Sequence, residues 1–163
     1  MTEQAILPAV LEGEILSFHE PKGEAQIRET LEALQKEILS VLERLGIEQI
    51  DLPLKHTFAT GVYMREIFLP KGTIVVGKIH RHDHVNFISY GDVTVLTKDG
   101  RQRLVGPITM VSTAGTKRAV FVHEDTVWTT IHANPTNETD LEKLEEFIIA
   151  KNYAEFPLIE DKS

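Results

Sequence analysis

The sequence contains no cysteine, and that single absence removes disulfides, thiolate nucleophiles and every cysteine-based zinc site. Any metal would have to be held by histidine, carboxylate or water. Long apolar runs are missing as well: nothing approaches the roughly 20 residues that a membrane-spanning helix needs. The opening MTEQAILPAVLEGE lacks the basic and apolar regions of a secretory signal, so the expected compartment is the cytoplasm. Basic residues are in deficit, 17 Lys plus Arg against 25 Asp plus Glu, for a formal net charge of −8. That balance argues against duplex nucleic acid or an anionic membrane as partner. No Gly-rich phosphate loop, Ser/His/Asp arrangement or interleaved basic and aromatic pattern is present, and the segment GTKR is too short to cradle a phosphate.

What is present suits one domain of ordinary size, 163 residues of which 42% are hydrophobic. Between Pro21 and Gly46 the residues Ile27, Leu31, Leu34, Ile38, Leu42 and Leu45 recur every three or four positions, the period of one helix face. Gly46 sits where a left-handed cap would end that helix. The stripe needs a surface to cover it, either the rest of the domain or another copy of the chain.

After Leu52 the texture changes to short β-rich runs. The pattern predicts strands near 62–69, 73–79, 85–90, 92–97, 101–105, 109–111, 119–123 and 126–132, separated by turn residues such as Tyr90-Gly91-Asp92, Lys98-Asp99-Gly100, Gly106-Pro107 and His123-Glu124-Asp125. Eight short strands without βαβ alternation predict a small antiparallel barrel or sandwich. Thr139-Asp140-Leu141-Glu142 reads as a capping box opening a closing helix with Leu141, Leu144, Phe147 and Ile148. The expected organisation is an arm and amphipathic helix over 1–51, a barrel over 52–134, and a helix and tail over 135–163.

His80, His82 and His84 fall within five residues of each other. Imidazole is the commonest neutral metal ligand, and residues two apart on a strand share a face, so His80 and His82 can converge on one ion. The same segment also reads as a solvated polar turn. His132 ends the apolar run VWTTIH and is a further candidate ligand if its strand returns beside the preceding one. His56 has no partner at metal spacing, His19 lies in the N-terminal arm, and the lone Trp128 reads as core.

The stretch PKGTIVVG, the His cluster and NFISYGDVTVLTKDG together resemble the first motif of the cupin superfamily, and Thr113-Ala114-Gly115-Thr116-Lys117-Arg118 is similar to its second. The resemblance covers about residues 61–134 and implies a jelly-roll barrel with a metal at its mouth. Counting back from Gly91, His84 takes the family's acidic ligand position, His80 its second His and Lys78 its first. Counting forward from His-x-His, His80 and His82 take the two His places and Asn86 the acid's. In the second motif Arg118 replaces the metal-binding His, and a guanidinium cannot ligate. The resemblance therefore implies a divalent metal (Zn, Fe, Mn or Ni) on His80 and His84, with His82 or His132 completing the set. Arg118, with Lys117 beside it, is expected to hold the carboxylate or phosphate of a small ligand, with Asn86 as a further ligand-binding candidate, or else to pair with Glu66 or another acid.

The strings LPLKHTFATGVYMREI, GKIHRHDHVNFIS, AGTKRAVFVHEDTVWTTIH and NETDLEKLE further resemble a group of small cupin proteins encoded by tailed bacteriophages, which carries no assigned reaction. That likeness implies a host-cytoplasmic or virion location. It leaves open whether the chain is an enzyme, and it sets a metal-bearing pocket against a homo-oligomeric structural component that meets other virion proteins.

Overall fold

The computed structural model describes residues 5–8 and 21–158. His19 lies outside the described residues. Ten strands and two α-helices follow in chain order: β1 (Ala5–Leu7), α1 (Gly23–Leu45), β2 (Leu54–Ala59), β3 (Gly61–Leu69), β4 (Ile74–Val76), β5 (Ile79–His80), β6 (His84–Thr97), β7 (Gly100–Val105), β8 (Ile108–Ser112), β9 (Ala119–Asn134), α2 (Leu141–Ile148) and β10 (Ile149–Ala150). The molecule is a mainly-β, antiparallel barrel with a helix before it and a helix after it, as the strand spacing and the resemblance imply.

Two long strands, β6 and β9, form the spine. They pair with each other from Val85↔Ile131 to Leu96↔Ala119, and each bends midway so that its two halves meet different neighbours within one eight-stranded sheet. The second half of β6 and the first half of β9 sit with β7, β4 and β1. Their other halves sit with β8, β3 and β2. The curled sheet encloses an apolar core that includes Val93, Val95, Leu104, Val120, Val122, Ile67, Ile88 and Trp128.

The expected turns at Tyr90-Gly91-Asp92 and His123-Glu124-Asp125 are therefore not chain reversals. Each is a bend within one continuous strand, because the β6–β9 ladder resumes beyond it with a shifted register. Gly91 has φ 124° and passes so close to β9 that an added Cβ would lie 2.0 Å from the Thr126 hydroxyl. Only glycine fits there. Thr126 secures the bend by donating to the Glu124 carbonyl at 2.7 Å and accepting from the Asp92 amide at 3.2 Å. Strands β1 and β2, which the pattern does not reveal, add to the two sheet edges.

The stripe of α1 is buried inside the chain. Ile27, Leu31, Leu34, Ile38, Val41 and Leu42 pack on Ala5 and Leu7 of β1, Val76 of β4 and Ala119 of β9. Leu45 departs from the expected face and is exposed. Gly46 ends the helix in the left-handed conformation, and the amides of Gly46 and Ile47 return to the carbonyls of Glu43 and Leu42. The stripe thus has a cover of its own, and any self-association of this chain would use another face.

The cap of α2 is Asp140 rather than Thr139. Its carboxylate accepts from the amides of Glu142 and Lys143, while Glu138 accepts from those of Thr139 and Asp140. An aspartate binds amides two and three residues on as well as a threonine does, which shifts the start by one residue. Leu144 and Ile148 are buried against Tyr63, so α2 lies across one end of the barrel. It is clasped there by Lys78 to Glu145, by Arg81 to the Glu146 carbonyl and Glu155, and by the β5–β10 pairing.

Candidate functional site

Beneath α2 the barrel interior opens into a cavity of about 340 Å³. Cross-strand register explains what lines it. On β3 the residues Tyr63, Arg65, Ile67 and Leu69 alternate onto the inner face. Arg65 stands opposite His56 of β2 and Thr130 of β9, and Thr130 stands opposite Asn86 of β6. Tyr63 is opposite His132, and Ile67 opposite Trp128. The floor is apolar, with Ile67, Leu69, Val75, Val120 and Trp128, whereas the walls above carry Arg65, Lys78, His80, Arg118, His132, His56 and Tyr63.

Arg118 is the centre of a polar knot. Its Nη1 donates to Asn86 Oδ1 at 3.2 Å, and its Nη2 donates to Ser112 Oγ at 2.8 Å and to His84 Nε2 at 3.3 Å. Its Cζ lies 4.9 Å from the centre of the Trp128 ring. Trp128 in turn donates Nε1 to the same Asn86 oxygen at 3.0 Å, and Asn86 Nδ2 donates to Ser112 at 2.9 Å. A guanidinium always donates, so His84 must present a bare Nε2 and carry its proton on Nδ1, which faces the His82 carbonyl at 3.2 Å. Burial pulls the Arg118 guanidinium down to about 10, still charged at neutral pH. Among the described residues no carboxylate lies within ion-pair distance of it, so the pairing with Glu66 does not occur. Glu66 is on the opposite parity of β3 and faces away from the interior.

Three imidazoles cluster next to this knot. Ring centroids are 4.3 Å apart for His80 and His84, 4.9 Å for His84 and His132, and 5.5 Å for His80 and His132. Burial, reinforced by the positive neighbours, holds His80 well below its usual range, His84 down to about 4 and His132 down to about 3, so all three are neutral at pH 7. His80 Nδ1 is buried without a hydrogen-bond partner among the described residues. On the far wall His132 stacks on Tyr63 at 5.9 Å, and the Tyr63 hydroxyl shares a 2.8 Å hydrogen bond with His56 Nδ1. Burial raises Tyr63 and lowers Arg65 from their ordinary values.

The structure sorts the expected site residues into three groups. His80, His132 and Arg118 line the cavity. His84 and Asn86 are buried behind Arg118, 3% and 0% exposed, and orient it rather than face the open space. His82 turns outward and rests on Phe147 of α2, 4.8 Å between ring centres, because strand pairing breaks between His80 and His84 and the alternation that would align His80 with His82 is lost. Tyr63, Arg65 and Thr130, with Lys78 paired to Glu145, complete the walls; Lys78 is expected only as the residue at the family's first-His position, and the other four are not expected at all. The alternation of Tyr63, Arg65 and Ile67 was the signal that would have placed them inside.

Three neutral imidazoles have the donor chemistry of a divalent-metal site, and the buried His80 Nδ1 has no hydrogen-bond partner among the described residues. Their arrangement does not fit such an ion as it stands. A bound metal lies in the plane of each imidazole, about 2.0–2.1 Å from its nitrogen, yet the His80 and His132 planes are stacked, only 11° from parallel. The His84 lone pair is occupied by Arg118, and the nearest formal charge is that cation. Among the described residues no group of three or more His, Asp or Glu stands in ligating geometry.

No protein-family profile matches this sequence, and no curated protein does. Among solved structures the chain is similar to a cupin-2 domain containing protein from Shewanella frigidimarina, with 10% identity over 58% of this chain and 92% of that one and a TM-score of 0.44. It is similar to a cupin superfamily protein from Desulfitobacterium hafniense, with 16% identity over 53% of this chain and 83% of that one and a TM-score of 0.43. It is also similar to a salicylate 1,2-dioxygenase from Pseudoaminobacter salicylatoxidans, with 14% identity over 74% of this chain and 34% of that one and a TM-score of 0.49. These likenesses concern strand arrangement and carry nothing on ligand or reaction.

Proposed function

We propose that this chain is a cupin-type binding protein whose barrel holds a small organic anion, gripped by Arg118 above an apolar floor. The observation that supports the reading is a buried guanidinium on a cavity wall with three neutral hydrogen-bond partners and, among the described residues, no carboxylate in reach. Burying a cation without a counter-charge costs several kcal/mol, and a ligand carboxylate offsets that cost with charge-assisted hydrogen bonds. The test is calorimetric titration of the full chain with propionate and with its neutral amide. Binding of the acid alone, weakened by Arg118→Lys, which keeps the charge and loses the planar fork, is the expected result. Equal affinity for acid and amide refutes it.

A second reading, favoured by the unpartnered His80 Nδ1, has a divalent metal (Zn, Fe, Mn or Ni) held by His80, His84 and His132 once Arg118 releases His84 and the His80 and His132 rings turn out of their stack. Elemental analysis before and after a chelator distinguishes the two, since the anion site needs no metal. The phage-type, metal-independent assembly component is the remaining alternative. It finds support in exposed apolar side chains on the outer sheet face, among them Val111, Val85 and Phe87, and it predicts a stable oligomer indifferent to both carboxylate and chelator.

A further inference from the structure

The charges on the cavity wall are unbalanced in a way that specifies more than one anionic group. Among the described residues three cations, Arg65, Lys78 and Arg118, face one carboxylate, Glu145, and that carboxylate is already bound to Lys78. Two guanidinium charges are left over. They do not share one spot. Arg118 is anchored deep in the barrel on Asn86 and Ser112 and lies over Trp128. Arg65 projects from β3, and between it and Asn86 stands Thr130 of β9. Arg65 and Asn86 are thus two strand spacings apart, roughly 10 Å at the backbone. Arg118 spends three N–H groups on Asn86, Ser112 and His84, which leaves two of five for a ligand. Arg65 meets no carboxylate within ion-pair distance among the described residues.

Building on the anion-binding reading above, we propose that the ligand is a short dicarboxylate that bridges the cavity, one carboxylate on Arg118 and the other on Arg65. The chain between its two ends lies over the apolar floor of Ile67 and Trp128, which neither carboxylate can use. A single-point dianion such as phosphate leaves one guanidinium unmatched, because Arg118 is tied to the β6 side and cannot lean across to Arg65.

The experiment is calorimetric titration of the full chain at low ionic strength with propionate, malonate, succinate, glutarate and inorganic phosphate. One dicarboxylate is expected to bind at least thirtyfold tighter than propionate and tighter than phosphate, and Arg65→Met is expected to erase that advantage while the thermal midpoint stays near the parent's. Arg65→Lys, which keeps a charge at the same wall, restores part of it and covers the case in which Arg65→Met fails to fold. Equal affinity for mono- and dicarboxylates, phosphate binding tightest, or an advantage that survives Arg65→Met overturns the bridge and leaves the anion site standing. No binding of any acid overturns both readings together.

Discussion

Asn86 offers the sharpest handle on the site, because Asn86→Asp changes a charge and almost no shape. In the parent the Asn86 oxygen already accepts from Arg118 at 3.2 Å and from Trp128 at 3.0 Å, and a carboxylate keeps both bonds. The second carboxylate oxygen then accepts from Ser112, whose hydroxyl turns from acceptor to donor. At an effective dielectric near 20, opposite charges about 4 Å apart attract by about 4 kcal/mol, most of which desolvation of the new carboxylate offsets, so stability changes little. Ligand binding responds differently. An incoming carboxylate on Arg118 now meets a negative charge about 6 Å away, a repulsion of about 3 kcal/mol, or roughly a hundredfold in Kd. Titration of propionate into the variant, alongside a thermal melt, checks both halves. Asn86→Leu is the counterpart: it leaves the buried Trp128 N–H unpaired and costs about 1–3 kcal/mol of stability. A folded Asn86→Asp protein that binds carboxylates as the parent does would show that Arg118 is not the group that holds them.

Gly91→Ala should destabilise by about 2–5 kcal/mol, from the left-handed backbone and the collision with Thr126, read as a lower midpoint in urea; an unchanged midpoint would mean the bend is soft. Stability should fall on acidification between pH 6.5 and 4, because His84 and His132 bind protons readily when unfolded but only near 4 and 3 when folded. The unfolded state holds more protons throughout that window, and at pH 5 the loss is about 2 kcal/mol for each imidazole; a flat pH profile in denaturant melts contradicts their burial. Deleting residues 1–46 should abolish cooperative unfolding, since six buried α1 side chains worth about 1.5–3 kcal/mol each would be withdrawn from the sheet; a truncated chain that still melts cooperatively would show that the barrel stands without its cover. Metal bound by the parent, if any is found, should drop in His80→Ala and stay unchanged in His82→Ala, because His82 points to the outer surface of α2.

Local periodicity carried most of the architecture. The 3.6-residue stripe of α1, the Gly46 cap and the hairpin at Lys98-Asp99 are decided by residues close in sequence, and apart from the exposed Leu45 they stand as read. Bends were harder, because Gly91 supplies the same freedom to a turn and to a bulge, and only the partner strand reveals which. The site divides along the same line. His80, His132 and Arg118 were legible from composition and motif, but the outward turn of His82 depends on pairing that stops after His80. The roles of Tyr63 and Arg65 depend on a register with β9 some seventy residues away. A lone histidine such as His56 carries no spacing signal, and its partner Tyr63 is reached only across the β2–β3 ladder.

The place of β9 in the topology has a consequence for biosynthesis. Residues 119–134 are the common partner of β3, β4 and β6 and follow all of them in the chain. At about 5–20 residues per second, the stretch from Gly61 to Asn134 takes roughly 4–15 s to emerge from a ribosome. During that interval three strands wait with open hydrogen-bonding edges and their apolar faces uncovered, the condition under which nascent β-proteins aggregate. Closure must then come late and almost at once, which makes this chain a candidate for chaperone dependence and places the hazard of premature termination between residues 97 and 119, after β6 is complete and before its partner arrives.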